Sequence, residues 1–247
     1  MKRIPWLVCG FLWLAFDASA QLRTWSDRGF ANLNGGSQTG SQDLSASWTF
    51  SRFGEEGRVD VQHGIDRSGG VFDVSGGARI WWNLGFGVGY SRVSGTTDAT
   101  VQGSVPHPLF VRRPRSATVS VSELTRTEQA VHFQVVWLTP IVRQLDVAVS
   151  VGPSVVTLEQ ALVTNADASE VGPPFSQVNI ATTTTEQTKR TAGLNLGVDV
   201  NYMVTRTWGA GLLLRYLRAS IDLPFRADAV SLDMGGFHVA GGVRVRF

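Results

Sequence analysis

Four histidines are the side chains of this chain best suited to acid–base or nucleophilic chemistry: His63, His107, His132 and His238. Nucleophilic catalysis needs a serine within hydrogen-bonding reach of the histidine and a carboxylate that orients the ring. Neither His132 nor His238 has a serine two residues away, His63 has only a loose grouping with Asp60, and His107 lies between prolines. We therefore expect no catalytic residue, no cofactor and no metal site, since no spacing clearly brings two metal ligands together.

A second group of ionisable side chains alternates with apolar residues. In the last strand-like segment His238, Arg244 and Arg246 share one face. The complete set expected on such a face is Asp73, Arg79, Arg126, Glu128, His132, Asp199, Arg215, His238, Arg244 and Arg246. An isolated buried charge is costly, so these groups must be paired or hydrated. They predict either a salt-bridged interior or a narrow passage whose arginines favour anions.

A third group could bind phosphate. Arg112, Arg113 and Arg115 follow Phe110 and Val111 in a polar stretch. Arginine makes bidentate contacts with phosphate and carboxylate groups, so the cluster predicts binding of lipid phosphates or another polyanion. The alternative is a solvated loop.

The C-terminal segment shows what kind of element carries these side chains. From Gly236 to Phe247 apolar and polar residues alternate, with Phe237 and Phe247 bounding the apolar face. Alternation with a period of two indicates a strand whose two faces meet different surroundings. A face that contacts lipid and a face that contacts a barrel lumen explain both the pattern and the terminal phenylalanine.

Seven further segments have the same alternation. They are Arg28–Asn34, Val71–Trp82, Leu84–Tyr90, Val119–Trp137, Leu145–Val155, Arg190–Tyr202 and Trp208–Ile221. Short connections at Asn83, Thr139–Arg143 and Val204–Thr207 alternate with long polar ones at Gly35–Gly69, Ser94–Ala117 and Ala161–Thr188. This alternation is typical of bacterial outer-membrane barrels, in which the short turns are periplasmic.

Aromatic residues cluster beside the short turns. They are Trp81, Trp82, Trp137, Tyr202, Trp208 and Phe247. Such clustering predicts an aromatic girdle at the periplasmic membrane interface. The pattern favours an all-β, antiparallel, up-and-down transmembrane barrel of eight strands. Segments Ser45–Phe53 and Arg58–His63 leave open a hairpin above the membrane or an extra strand pair, which would make ten.

The N-terminus resembles a secretory signal. Lys2 and Arg3 precede an apolar run that ends at Phe16, and Ala18-Ser19-Ala20 forms a small-residue cleavage site. The run is shorter than the roughly 20 residues that a spanning helix needs. We predict a signal peptide at residues 1–20 and one barrel domain at residues 21–247. The single cysteine, Cys9, lies inside the signal, so the mature chain has no thiol chemistry.

The chain resembles the small outer-membrane barrels of the OmpA/OmpX type, through its signal peptide, hairpin rhythm and terminal aromatic strand. It ends at Phe247, so the resemblance does not include the peptidoglycan-binding domain. It implies a location in the bacterial outer membrane, contact with outer-membrane lipid including lipopolysaccharide, and recognition of the last strand by the assembly machinery. A net charge of +2 gives no argument for nucleic acid. We expect a structural or surface-recognition role, with a narrow pore as the alternative and a lipid-modifying enzyme third.

Overall fold

The computed structural model describes residues 24–66, 68–225 and 228–247, and the predicted signal peptide lies outside them. Over these residues the chain forms ten strands and follows the predicted all-β fold. The strands are β1 (Gly29–Thr39), β2 (Ser41–Arg52), β3 (Glu55–Asp66), β4 (Gly69–Trp81), β5 (Leu84–Val105), β6 (Arg115–Pro140), β7 (Leu145–Glu170), β8 (Val178–Met203), β9 (Trp208–Phe225) and β10 (Asp228–Arg246). The described part of the chain contains no helix long and apolar enough to cross a membrane.

Eight of the strands close into an antiparallel ring in the order β1, β4, β5, β6, β7, β8, β9 and β10. The first and last strands complete the ring, with Phe30 opposite Arg246 and Thr39 opposite Phe237. Since a closed ring leaves no edge strand, its backbone groups are hydrogen-bonded within the sheet. The prediction of an up-and-down barrel of eight strands is confirmed.

The hairpin of β2 and β3 lies outside this ring. It pairs through β3 with the upper half of β5, from Arg58 opposite Ser104 to Gly64 opposite Asp98. The lower half of β5 pairs instead with β4. Of the two alternatives left open by the sequence, the structure shows a hairpin that extends the wall upward.

The lower half of the barrel is apolar outside and polar inside. Its exposed apolar side chains include Phe72, Val74, Phe86, Val88, Val131, Phe133, Val135, Val149, Val151, Leu194, Leu196, Leu212, Leu214, Val239 and Val243. Residues of opposite parity on the same strands are buried and polar, as with Asp73 on β4 and Asp199 on β8. This is the reverse of a water-soluble barrel and is the arrangement that a bilayer stabilises.

Above the membrane the apolar residues change sides. On β5, Phe86 and Val88 point outward, whereas Val93, Ala99 and Val101 are buried inside the barrel. Water surrounds this part, so apolar side chains are stabilised in the interior. Two buried clusters result: one includes Leu44, Ile65, Leu158, Leu162, Leu232 and Met234, and the other Val59, Val61, Val101, Leu124, Val163 and Ile180.

This upper region corrects the extent of the predicted loops. The three long connections were expected to be polar loops, but β2 and β3 fill most of the first. Strand β5 continues to Val105, and β7 and β8 run through most of the third, including the Thr182–Thr185 run. These strands face water on the outside, so their outward residues are polar and their composition resembles that of loops. The connections that remain are residues 106–114 and 171–177.

A third apolar cluster lies at the periplasmic end. Trp25 packs with Phe30, Val136, Leu138 and Ala148. The Trp25 backbone N–H donates to Asn83 Oδ1 at 2.7 Å, which ties the segment before β1 to the turn after β4. The Trp25 ring, only 1% exposed, thereby packs into the lower mouth of the lumen and narrows it.

Candidate functional site: the barrel lumen and the extracellular tip

Arg244 occupies the centre of the lumen and has no exposed surface. Strand alternation directs it inward from β10. Its guanidinium donates to Asp199 Oδ1 at 2.6 Å, to Asn201 Oδ1 at 2.6 Å and to Asn34 Oδ1 at 2.5 Å. One carboxylate balances the charge and two amides satisfy the remaining donors, as burial of an arginine requires.

A second ion pair lies beside the first. Arg215 on β9 pairs with Asp73 on β4, and both side chains are almost fully buried. Asn34 Nδ2 donates to Asp73 Oδ1 at 2.8 Å while Asn34 Oδ1 accepts from Arg244. The amide therefore joins the two ion pairs into one network across the lumen.

A third pair closes the network towards the periplasm. Arg246 Nη2 lies 3.1 Å from Asp146 Oδ1, which also accepts from Asn201 Nδ2 at 2.7 Å. The Arg246 guanidinium lies 5.5 Å from the centre of the Phe30 ring. Because Phe30 packs on Trp25, the ionic network continues directly into the apolar cluster at the mouth.

The fourth pair lies at the top of the polar lumen. Arg126 and Glu128 pair within β6, and Arg126 Nη1 donates to Gln160 Oε1 at 2.7 Å. Glu128 Oε2 accepts from the backbone N–H of Gly235 at 3.1 Å. Gly235 has φ +83°, a conformation that side chains rarely adopt, so glycine is required for this contact.

His132 lies between two serines contributed by neighbouring strands. Its Nε2 is 2.9 Å from Ser91 Oγ and its Nδ1 is 2.8 Å from Ser154 Oγ. Asn195 Nδ2 donates to Ser154 Oγ at 2.7 Å. Both ring nitrogens are thus occupied by hydroxyls, and the orienting carboxylate of a catalytic triad has no counterpart in these contacts. The sequence pattern missed these serines because they come from other strands.

The other two residues of the expected lumen set are His238 and Arg79. His238 is buried opposite Arg215 on the neighbouring strand, and its ring nitrogens have no hydrogen-bond partner among the described residues. Arg79 is half-buried and donates to the Trp25 carbonyl at 2.5 Å. Arg79 thus holds the segment before β1, and His238 fills space within the lumen.

Together these layers fill the middle of the barrel, and a pocket of about 910 Å³ lies at the periplasmic end beside Trp25 and Arg246. A cavity of about 30 Å³ lies among Asn32, Asn34, Gln134, Asp199 and Arg215, which is room for about one water molecule. Within the described residues, no three His, Cys, Asp or Glu side chains form a group that could hold a metal ion. The four ion pairs balance one another, so the lumen has no excess of arginine charge at these positions.

Several members of the network lay outside the set expected from the sequence. They are Asn34, Ser91, Asp146, Ser154, Gln160, Asn195 and Asn201. Strand parity could have found some of them, because residues two positions apart share a face. Asn201 lies two positions after Asp199 on β8, and Asn34 lies two positions after Asn32 on β1. The partners themselves could not be read off, because they depend on pairing between distant strands.

At the far end of the molecule the predicted basic cluster divides in two. Arg112 and Arg113 are exposed, whereas Arg115 is only 9% exposed and pairs with Glu170. Arg115 also donates to the carbonyls of Phe175 at 2.9 Å and Pro106 at 2.6 Å. Hydrogen bonding to the Arg115 guanidinium holds the pKa of Glu170 below its usual range. Arg115 therefore ties the two long connections together.

The remaining histidines also lie in the extracellular part. His63 on β3 is buried, and its Nε2 accepts from the backbone N–H of Val163 at 3.2 Å. Burial lowers the pKa of His63 to about 4. His107 Nδ1 accepts from the backbone N–H of Leu109 at 3.1 Å, and its ring contacts the Phe110 ring at a tilt, with 4.9 Å between centroids. Both histidines organise structure in these contacts.

The aromatic residues expected in a girdle are exposed at the level of the short turns. They are Trp81, Trp82, Trp137, Tyr202, Trp208 and Phe247. Trp82 and Trp137 make an edge-to-face contact at 5.8 Å. At the opposite boundary of the apolar belt, Tyr216 and Phe237 lie 4.8 Å apart. Aromatic rings thus flank the belt on both sides, where ring and polar group favour the membrane interface.

Comparison with known proteins gives similarity at the level of fold. No protein-family model matches the chain, and no curated protein matches its sequence. Neisserial surface protein A is 13% identical, with 89% of this chain and 97% of that chain covered and a TM-score of 0.45. OprG from Pseudomonas aeruginosa is 10% identical, with coverages of 90% and 96% and a TM-score of 0.45. Ail of Yersinia pestis, solved with the heparin analogue sucrose octasulfate, is 8% identical, with coverages of 88% and 99% and a TM-score of 0.38.

The surfaces of the barrel itself establish where it resides. A belt of exposed apolar side chains around a closed antiparallel ring is stable only when lipid covers it. Antiparallel barrels with short turns at one end and long extensions at the other are the form in which strands cross bacterial outer membranes. The chain is therefore a small integral outer-membrane β-barrel protein with the architecture of the OmpA/OmpX type.

Proposed function

We propose that this protein is a closed barrel that anchors an ordered extracellular body for recognition at the cell surface and contributes structurally to the membrane. The observation that carries the proposal is the change of sides at the membrane boundary, where the interior becomes apolar. Val101 and Val163 belong to a core above the membrane that the β2–β3 hairpin covers on one side, and Leu158 belongs to a second core that begins at the membrane boundary. Transport through the barrel does not require such a core. A recognition surface benefits from it, because the core holds the exposed residues in one conformation.

The filled lumen favours this role over the alternative of an anion-favouring pore. Arg215, Arg244 and Arg246 each form an ion pair, and the side chains of the middle of the lumen leave a cavity of about 30 Å³. A pocket of about 910 Å³ opens from the periplasmic end and reaches as far as Asp146 and Arg246. An eight-stranded barrel is only wide enough for side chains to fill it. An anion crossing it would have to break buried ion pairs, at a cost of several kcal/mol each.

The same geometry favours a role without catalysis. His132 is the histidine with serines in hydrogen-bonding reach, yet it is fully buried between Ser91 and Ser154. A lipid substrate would have to enter the ion-paired lumen to reach it. An enzyme of the outer membrane needs its reacting groups at the lipid-facing wall or at the rim.

Contacts with outer-membrane lipid belong to the lower wall and its upper boundary. Arg92 on β5 and Arg218 on β9 are exposed and point outward, next to Phe72 and Leu194 of the apolar belt. This is the level of lipid phosphates, which arginine contacts bidentately. We assign lipopolysaccharide contacts to these arginines. Strand β10, which ends in Phe247, is the segment we expect the assembly machinery to recognise.

The first experiment is single-channel conductance of the refolded chain, residues 21–247, in planar bilayers after heat-modifiable gel mobility has shown that it is folded. We expect no steady openings, because the ion pairs close the lumen and Trp25 narrows its lower mouth. Openings with anion selectivity that changes in Arg246→Gln would establish the pore instead.

Recognition is tested by attachment. Bacteria that produce the chain should adhere to cultured epithelial cells more than bacteria producing a variant whose residues 106–114 are replaced by a Gly-Ser segment of equal length. Both chains must reach the surface in equal amounts, as judged by an epitope in the β7–β8 connection. Equal adhesion of the two strains would remove the support for recognition and leave a structural barrel.

A further inference from the structure

The apex of the β5–β6 connection exposes three consecutive apolar residues. Leu109, Phe110 and Val111 are 66%, 53% and 76% exposed, although each belongs to a type that is usually buried. These residues lie in the connection between β5 and β6, and exposure of all three shows that the segment protrudes. Two exposed arginines, Arg112 and Arg113, follow directly.

The protruding segment is held in place from both sides. The backbone N–H of Arg112 donates to Glu55 Oε1 at 2.7 Å, which joins the connection to the β2–β3 turn. Arg115 joins it to Glu170 and to the carbonyl of Phe175 on the β7–β8 side. The apolar residues are therefore presented on a braced support and do not collapse onto the apolar core below.

A second aromatic and arginine pair lies on the adjoining turn. Phe53 is 50% exposed beside Arg52, whose guanidinium lies 5.3 Å from the centre of its ring. The Arg113 guanidinium lies 5.7 Å from the centre of the Phe110 ring. The surface formed by Arg52, Phe53, Leu109, Phe110, Val111, Arg112 and Arg113 is called the tip below.

The tip cannot reach the membrane in which the barrel is embedded. Strand β5 leaves the apolar belt after Tyr90 and ends at Val105. At about 3.3 Å per residue and a tilt of about 40°, that length raises the tip about 35 Å above the membrane boundary. The tip therefore faces outward, away from the lipids of its own cell.

From this surface we infer that the tip docks onto a second, anionic lipid bilayer that lies outside the cell and faces its surface. Apolar side chains gain from entering hydrocarbon, and the arginines gain from contact with phosphate. A lipid surface supplies both in one plane, and it accepts a convex apex without a matching groove. A soluble polyanion would satisfy the arginines and leave Leu109, Phe110 and Val111 in water. This inference rests on the proposed recognition function and names its partner class.

The test uses the full barrel in phosphatidylcholine nanodiscs and measures capture of fluorescent vesicles. We expect capture of vesicles with 30 mol % phosphatidylglycerol (about a third anionic lipid) to exceed capture of pure phosphatidylcholine vesicles by about tenfold or more, since apolar insertion and charge add. Phe110→Ser/Val111→Ser should lower capture about tenfold at low and at high salt. Arg112→Gln/Arg113→Gln should lower it mainly at low salt, because salt screens exposed charges.

A matched control comes from the periplasmic turn. Ile141 and Val142 are 54% and 55% exposed at the opposite end of the barrel. Ile141→Ser/Val142→Ser removes comparable apolar surface and should leave vesicle capture unchanged. Heat-modifiable mobility of every variant shows that a loss of capture does not reflect a loss of folding.

Two results would overturn the inference. The first is vesicle capture that does not change in Phe110→Ser/Val111→Ser, or that a soluble sulfated polysaccharide abolishes equally in the wild type and in this variant. Either outcome would show that the tip recognises anions in solution. Absence of vesicle capture together with protease-sensitive adhesion to epithelial cells would show a protein partner. In that second case the proposed recognition function stands and the lipid partner falls, whereas loss of both vesicle capture and adhesion removes the two together.

Discussion

At the scale of single residues, the lumen depends on arginines whose charges are balanced one by one. Replacement of Arg244 by methionine keeps an unbranched apolar stem, removes the guanidinium and leaves Asp199 buried without its partner. We expect the free energy of unfolding to fall by about 3–5 kcal/mol, the cost of breaking a buried ion pair by removal of one side. Urea unfolding in lipid vesicles, followed by heat-modifiable mobility, measures the change.

An exposed pair on the same protein provides the control. Arg58 lies 2.8 Å from Asp60, with side chains 59% and 40% exposed. Arg58→Met should leave the free energy of unfolding nearly unchanged, because water screens such pairs. The double variant Arg244→Met/Asp199→Asn should recover part of the loss by removing the orphaned charge. A double variant no more stable than Arg244→Met would mean that packing, and not charge, sets the effect.

Glu170 and Arg115 give a residue-scale prediction at the tip. The folded-state pKa of Glu170 is lowered, so its contribution is present above the unfolded value of about 4.3 and is lost as pH falls below that. Hydrogen exchange at residues 106–114, corrected for intrinsic rates, should rise about tenfold when the pair is lost at acid pH. Glu170→Gln should show the faster exchange already at pH 7. If this variant exchanges like the wild type at pH 7, the pair does not brace the tip.

At the scale of elements, the β2–β3 hairpin is attached through a histidine that must stay neutral. Burial lowers the folded-state pKa of His63 to about 4, below the unfolded value of about 6.5. Its contribution is complete above pH 6.5 and is lost as pH falls towards 4, with about 2 kcal/mol lost by pH 5. We expect hydrogen exchange in residues 41–66 to rise between pH 7 and pH 5, relative to β10.

The matched variant for this element is His63→Gln. The glutamine amide can accept the hydrogen bond that Val163 donates to His63, and it does not titrate. The hairpin of this variant should exchange equally at pH 7 and pH 5. If variant and wild type loosen in parallel, some group other than His63 controls attachment of the hairpin.

The elements that could be predicted are the strands that lie between lipid and lumen, because their sequences alternate between apolar and polar residues. Leu194, Leu196 and Val200 on β8 face lipid, so alternation located the strand. The part of β8 above the membrane was expected to be loop, since its outward residues are threonines. Its inward residues pack on a core that other strands form, and the sequence of β8 alone does not show that core. A change in the parity of apolar residues, as between Val88 and Val93 on β5, is the signal that could have located this boundary.

At the scale of the whole molecule, the sequence does not show which strands contact one another across the lumen. The ion pair of Asp73 with Arg215 joins β4 to β9, and that of Asp146 with Arg246 joins β7 to β10. Alternation correctly indicated which residues could face inward, but it contains nothing about neighbours across a closed ring. Cross-lumen pairing follows from ring closure and strand tilt, which are properties of the assembled barrel.

The division into a lipid-supported lower barrel and a water-supported upper body makes a prediction about independence. Gln38 and Gly69 are paired neighbours at the base of the hairpin. Replacement of residues 39–68 by Asn-Gly, a two-residue turn suited to hairpins, would therefore connect β1 to β4 directly. We expect this chain to insert and to remain heat-modifiable, because none of the ring pairings between β1 and β4 is removed.

The upper body should respond differently. The hairpin contributes Val59 and Val61 to the core that contains Val101, Val163 and Ile180. Without it those side chains face water, so limited proteolysis should cut β5–β8 above the boundary at least tenfold faster than in the wild type, for a loss of about 1.4 kcal/mol or more. The membrane half should stay resistant in the same digest. Loss of heat-modifiable mobility would show one cooperative unit, and unchanged resistance of β5–β8 would show that the hairpin is not part of the extracellular core.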